Sequence, residues 1–225
     1  MINFSPSIIR KSVRVTILVI GLAFCSEFSI AKQVSFPITL DYGLLKAFLI
    51  QSSYTDTNNT AQLINEGNGC IALTLSDPEI TGADNVVHLS SEVYLHVGTP
   101  LGESCLMPYE WNGSIQMSQI PKLNNETWEL SFETVDTKIY SSDGTPVKSF
   151  NLVWDRMMPV INSYLQDFSV KLAPPVEDLK TCIIPLFTPE AQTEAEMLLN
   201  SIRPGGMSID NEGVIVSIIA EATEI

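Results

Sequence analysis

Between Cys70 and Tyr140 apolar and polar residues alternate with a period of two, the pattern of strands that bury one face. The clearest stretch sets Val87, Leu89, Ser91, Val93, Leu95 and Val97 against Val86, His88, Ser90, Glu92, Tyr94 and His96. An earlier strand carries Ile71, Leu73 and Leu75 and is interrupted at Asp77-Pro78. A later one, following Cys105, alternates Trp111, Gly113, Ile115 and Met117 with polar residues. A turn from Pro121 to Glu126 leads into a fourth strand, with Trp128, Leu130 and Phe132 on one face, which runs on through Ile139 and Tyr140. Long strands following one another across turn residues predict an antiparallel meander.

The flanking segments read differently. Phe36 to Leu40 predicts a short strand, and Asp41 is placed to cap a helix carrying Leu44, Leu45, Phe48 and Leu49. Tyr54 to Gly69 is polar and reads as a loop. Past Ser141-Ser142-Asp143-Gly144 the period becomes helical, with Val153, Met157, Val160, Ile161, Tyr164 and Phe168 on one stripe and Trp154 and Leu165 beside it. Pro159 should kink this helix or mark its first turn. Lys171 to Pro175 reads as extended and Val176 to Phe187 as apolar but irregular. Thr188-Pro189 starts a short helix that ends by Ile202, and Met207 to Ile209 with Val214 to Ala220 predicts a closing hairpin. The expected class is α+β: a strongly twisted antiparallel β-meander wrapped around a long amphipathic helix, with an N-terminal helix and a short C-terminal helix.

The first residues form a separate pattern. Arg10, Lys11 and Arg14 precede an apolar run from Val15 to Cys25, and Ser29-Ile30-Ala31 offers small residues for cleavage, which together predict a signal peptide over 1–31 and a single domain over 32–225. A run of about 11 residues falls short of the roughly 20 that span hydrocarbon. Leu22-Ala23-Phe24-Cys25 has the outline of a lipidation box, with Phe24 where a small residue is expected. The reading predicts an exported protein of the periplasm or extracellular space with no stable membrane anchor.

Charge narrows the choice of partner. Three of the 12 basic residues and one of the 26 acidic ones fall in 1–31, which leaves 9 against 25 and a formal charge of −16. Nucleic-acid and anionic-lipid surfaces are bound by displacing counterions with Lys and Arg, so this balance argues against both. Of the three cysteines past the leader, Cys70 and Cys105 sit in similar turn-like settings before strands, and a Cys70–Cys105 disulfide is expected in an exported chain. Cys182, among apolar residues, reads as a buried thiol.

Catalytic signatures are sparse. The sequence holds no Gly-x-Ser-x-Gly elbow, Walker loop, dinucleotide-binding glycine motif or His-Glu-x-x-His. His88 and His96 lie eight residues apart on the polar face of one strand, about 27 Å at strand rise, too far to share a metal. Asp56-Thr57-Asn58-Asn59-Thr60 departs from a calcium loop at Ala61, and the triplets at Asn58, Asn112 and Asn125 fit the glycosylation pattern. No catalytic residue, metal or cofactor is expected, and the chain reads as a non-enzyme.

The order of elements resembles the tubular lipid-binding superfamily, in particular its small periplasmic one-module bacterial members. The likeness rests on Ile38-Thr39-Leu40-Asp41 leading into Tyr42-Gly43-Leu44-Leu45, the strands from Cys70 to Tyr140, the helix containing Met157-Met158-Pro159-Val160-Ile161-Asn162-Ser163-Tyr164-Leu165, and the closing Val214 to Ala220. It implies a curved sheet around a long helix with a lipid or fatty-acyl ligand between them. The ligand-lining residues would be Leu44, Phe48, Trp111, Ile115, Met117, Trp128, Leu130, Phe132, Met157, Ile161, Tyr164 and Phe168. Those same residues would equally fill an ordinary core, and the chain would then be a structural or protein-interaction module of the cell envelope.

Overall fold

The alternating segments form strands longer than the average of five or six residues, and those strands dominate the molecule. The computed structural model describes residues 33–147, 152–166 and 168–221. The expected signal peptide and Cys25 lie outside the described residues, and Ala31–Ile225 clusters as one unit.

Six strands make one antiparallel sheet in the order β2 (Ala61–Glu66), β3 (Ile71–Ala83), β4 (Val86–Leu101), β5 (Ser104–Asn124), β6 (Glu129–Ser141) and β7 (Ser169–Lys171). The sheet curls, so that α2 (Leu152–Gln166) packs against both β2 and β6. A second sheet, β1 (Gln33–Asp41), β9 (Gly213–Glu221) and β8 (Arg203–Ile209), joins the first described strand to the last along nine register pairs from Gln33↔Glu221 to Asp41↔Gly213. The core lies between sheets and helices, and Leu45, Leu49, Leu73, Leu75, Leu95, Ile115, Met117, Leu130 and Ile161 are sealed within it.

Local chemistry explains most boundaries. The Asp41 carboxylate accepts from Leu44 N at 2.9 Å and starts α1 (Tyr42–Ser53). The Asp77-Pro78 break in the sequence is a bulge inside a continuous β3, with Asp77 at φ 47° and the register shifting between Ser76 and Glu79. β5 runs through Pro121 to Asn124, and the turn comes only at Asn125–Trp128, where Asn124 Oδ1 accepts from the backbone of Glu126 and Thr127.

The long helix and the α+β class are not found. Strands hold 55% and helices 27% of the described residues, and the helical content is divided among four short helices, of which α1 packs on β3 and α2 on β2 and β6 of the curled sheet. α2 has 15 residues, about 22 Å at helical rise, and contains Pro159, which removes a backbone donor from its middle. Its apolar stripe ends early because Phe168 already leads into β7, whose Ser169–Lys171 pairs with Glu129–Ser131.

Two further expectations are corrected. The prolines after Lys171 open α3 (Ala173–Ile183), where a missing N–H costs nothing in a first turn, and a 3-10 turn at Ile184–Leu186 follows before α4 (Pro189–Asn200). The polar stretch after Tyr54 contains β2, an edge strand whose Ala61, Leu63 and Ile64 do not alternate because the register shifts between Gln62 and Ile64.

Candidate functional site

Of the twelve side chains expected to line a ligand space, Ile115, Met117, Leu130, Phe132, Met157, Ile161 and Phe168 are buried in one cluster. Phe48, Trp111, Trp128 and Tyr164 are partly buried and pack against it, while Leu44 is 38% exposed and faces away. Phe132 stacks on Phe168 with ring centroids 5.3 Å apart, and Trp111 meets Trp154 edge-on at 4.7 Å. The tryptophan pair joins β5 to α2 across the space where an acyl chain was expected, whereas Phe132 and Phe168 are neighbours along the register of β6 with β7. Trp128 belongs to the turn rather than the strand, at φ 55°, and its carbonyl accepts from Leu172 N.

A cavity of about 480 Å³ lies at the surface, lined by Leu63 of β2 and by Pro159, Val160, Ser163 and Tyr164 of α2. It is a shallow, open depression, and Tyr164 is its sole lining residue from the expected set. The Tyr164 hydroxyl donates to the Ser53 carbonyl, and its pKa is raised by burial and by the negative charge of Asp56.

Polar groups inside the fold serve architecture. Tyr54 donates to Ser91 Oγ at 3.0 Å, and Ser91 donates to the Ser76 carbonyl at 2.6 Å. Burial pushes the Tyr54 phenol up to about 12. Asp56, weighed above as a calcium ligand, accepts from Gln62 N at 2.8 Å within a tight turn closed by the Asp56↔Thr60 bridge.

The histidines lie on the outer face of β4. His88 Nδ1 is 3.2 Å from Ser118 Oγ, and Asp136 is the next residue in that row across β6. The row places serine between histidine and carboxylate, whereas activation of a serine needs the imidazole in the middle. His96 Nδ1 lies 3.3 Å from Glu110 Oε1. Among the described residues, no group of three or more His, Cys, Asp or Glu is placed to hold a metal ion, and no helix is long and apolar enough to cross a membrane.

The feature missed in the sequence is the far end of the β4–β5 hairpin. Register pairs Val97 with Tyr109, Thr99 with Leu106 and Leu101 with Ser104, continuing the row in which Leu95 faces Trp111. The core-side stripe of the sheet therefore runs past Trp154 into an arm with little cover: Tyr109 is 45%, Leu106 47% and Leu101 62% exposed. Met107 and Pro108 bulge opposite Gly98, and Met107, at φ 51°, is 92% exposed.

Cys70 and Cys105 form the disulfide, with Cα atoms 5.5 Å apart, and tie the base of the β2–β3 turn to the arm. Gly98 N also donates to the Cys70 carbonyl at 2.7 Å. The bond is compatible with an oxidising, exported compartment. Cys182, expected to be buried, is an exposed free thiol, because the irregular segment that held it is the outer side of α3. A sequence signal for the arm did exist: Leu101, Leu106, Met107 and Tyr109 surround a Gly102-Glu103 turn, where polar residues are the rule.

No family model matches the chain, and neither does any curated protein or solved structure.

Proposed function

We propose that this chain is an exported, non-enzymatic interaction module of the cell envelope that docks through the apolar arm of β4 and β5. The observation that carries the reading is the exposed stripe of Leu101, Leu106 and Met107 on an arm held rigid by Cys70–Cys105. Exposed apolar surface is costly in water, and a braced arm that presents it suits a partner's surface. The Trp111–Trp154 contact, which closes the gap between β5 and α2, weighs against cargo held in the interior.

A carrier of a lipid-like ligand is the second reading. The open depression between β2 and α2, on the scale of small-ligand pockets, favours it. Organic extraction of protein purified without detergent from the exported fraction, followed by mass spectrometry, separates the two. A clean extract is expected, and stoichiometric phospholipid or fatty acid would replace the module by the carrier.

A further inference from the structure

From residue 47 to residue 121 the chain contains no Lys or Arg, yet it holds eight Asp and Glu residues. That span covers β2, β3, β4 and most of β5, which is the half of the curled sheet that ends in the arm. The cations at its borders are already engaged, Lys46 with Glu79 at 2.6 Å and Lys122 with Glu133. On the arm itself Glu103 sits in the turn between Leu101 and Leu106, and Glu110 lies on the outer face beside His96. The arm is therefore an apolar surface on a half-sheet that carries eight carboxylates and no Lys or Arg of its own.

Resting on the docking reading above, we infer that the arm's partner is a protein surface with an apolar groove bordered by Lys or Arg. A groove of that kind would receive Leu101, Leu106 and Met107 and set a cation against Glu103, and opposite fields would also speed encounter. A lipid surface fits less well, because burying the arm would carry the Glu103 carboxylate toward hydrocarbon, and phosphate headgroups meet no cation. A second copy fits less well too, since pairing two arms would bring two negative half-sheets together.

The test replaces Met107 by the photo-crosslinking residue p-benzoylphenylalanine in the full chain, in the cells that export it, with the same replacement at Val135 as a control. Val135 is 53% exposed on β6, away from the arm. Expected is a protein adduct from position 107 and none from 135, mapping to an apolar segment flanked by Lys or Arg. In the isolated exported fraction its yield should fall several-fold when salt is raised from about 0.05 M to about 0.5 M, and again on Glu103→Lys. A protein adduct indifferent to both salt and Glu103→Lys would overturn the cationic partner and leave docking standing. Absence of any adduct at 107 would overturn docking itself, and an adduct only with lipid or with a second copy would overturn the inference in favour of that occupant.

Discussion

Tyr54, at the C-terminal end of α1, donates a hydrogen bond from its hydroxyl to Ser91 in the middle of β4, and the buried serine donates in turn to the carbonyl of Ser76 on β3. This short chain ties the first helix to two strands through the apolar core. An unmet buried donor costs more than a met one contributes. Ser91→Ala should therefore destabilise the protein by about 1 to 3 kcal/mol in urea unfolding. The double variant with Tyr54→Phe should cost less than the sum of the two single changes, and strict additivity would show the groups are not coupled.

The same phenol sets a pH dependence. Tyr54 titrates at about 12 in the folded protein because burial disfavours the phenolate, against 10.0 for an ordinary tyrosine. The unfolded state thus loses its proton first. The contribution is complete below pH 10 and is lost as pH rises toward 12. Tyr42 and Tyr164 are raised in the same direction. Denaturant midpoints of the wild type should fall across that window, and Tyr54→Phe should fall less steeply; parallel curves would sink the assignment.

The disulfide closes a loop with a sequence separation of 35. On chain entropy it stabilises the fold by about 4 kcal/mol. Cys70→Ser with Cys105→Ser should lower the melting temperature by about 8 to 16 °C if unfolding stays two-state. Because the bond anchors the arm rather than the core, amide exchange should quicken most in residues 97–109. A uniform rise across the sheet would contradict that placement.

Periodicity made the meander legible because each strand of the large sheet buries one face, so Leu73, Leu89 and Leu130 appear at every second position. The Asp41 cap and the Thr188-Pro189 helix start were readable for a local reason, a side chain or ring suited to the first turn. The extent of the helical cover was not. Val153 to Phe168 carries one apolar stripe, but whether Phe168 adds a helical turn or leads into β7 depends on pairing with Glu129–Ser131, a contact remote in sequence. Pairing of β1 with β9 is remote in the same way. Of the candidate site, the twelve apolar residues were recognised as inward-facing in the main, while their mutual packing depends on distances that periodicity does not contain. The arm was overlooked because an apolar residue near a turn looks the same whether something covers it or nothing does.

Gly113 tests how tightly β5 and β6 are joined beside the two tryptophans. A Cβ there would stand 2.2 Å from the Tyr140 carbonyl oxygen and 2.3 Å from the Trp111 ring. The backbone cannot yield, and moving the ring would break its contact with Trp154 at 4.7 Å. Gly113→Ala should cost at least about 1 to 3 kcal/mol, the usual range for forcing atoms into a packed site. Near-UV circular dichroism should weaken as the tryptophan pair separates. A stable variant with an unchanged spectrum would show that the ring does not sit over this glycine.

Met107 separates folding from binding. Its backbone lies in the left-handed region at φ 51°, which a glycine adopts without steric cost, and its side chain is 92% exposed. The fold gains little from the thioether and carries the strain of holding it there. Met107→Gly should accordingly leave stability unchanged or raise it by up to about 1 kcal/mol, measured by urea unfolding. With the crosslinker moved to Leu106, the same substitution should reduce the partner adduct several-fold, because the most exposed apolar group on the arm has gone. A loss of stability without loss of the adduct would mean that Met107 serves the hairpin rather than the partner, and the docking surface would have to lie elsewhere.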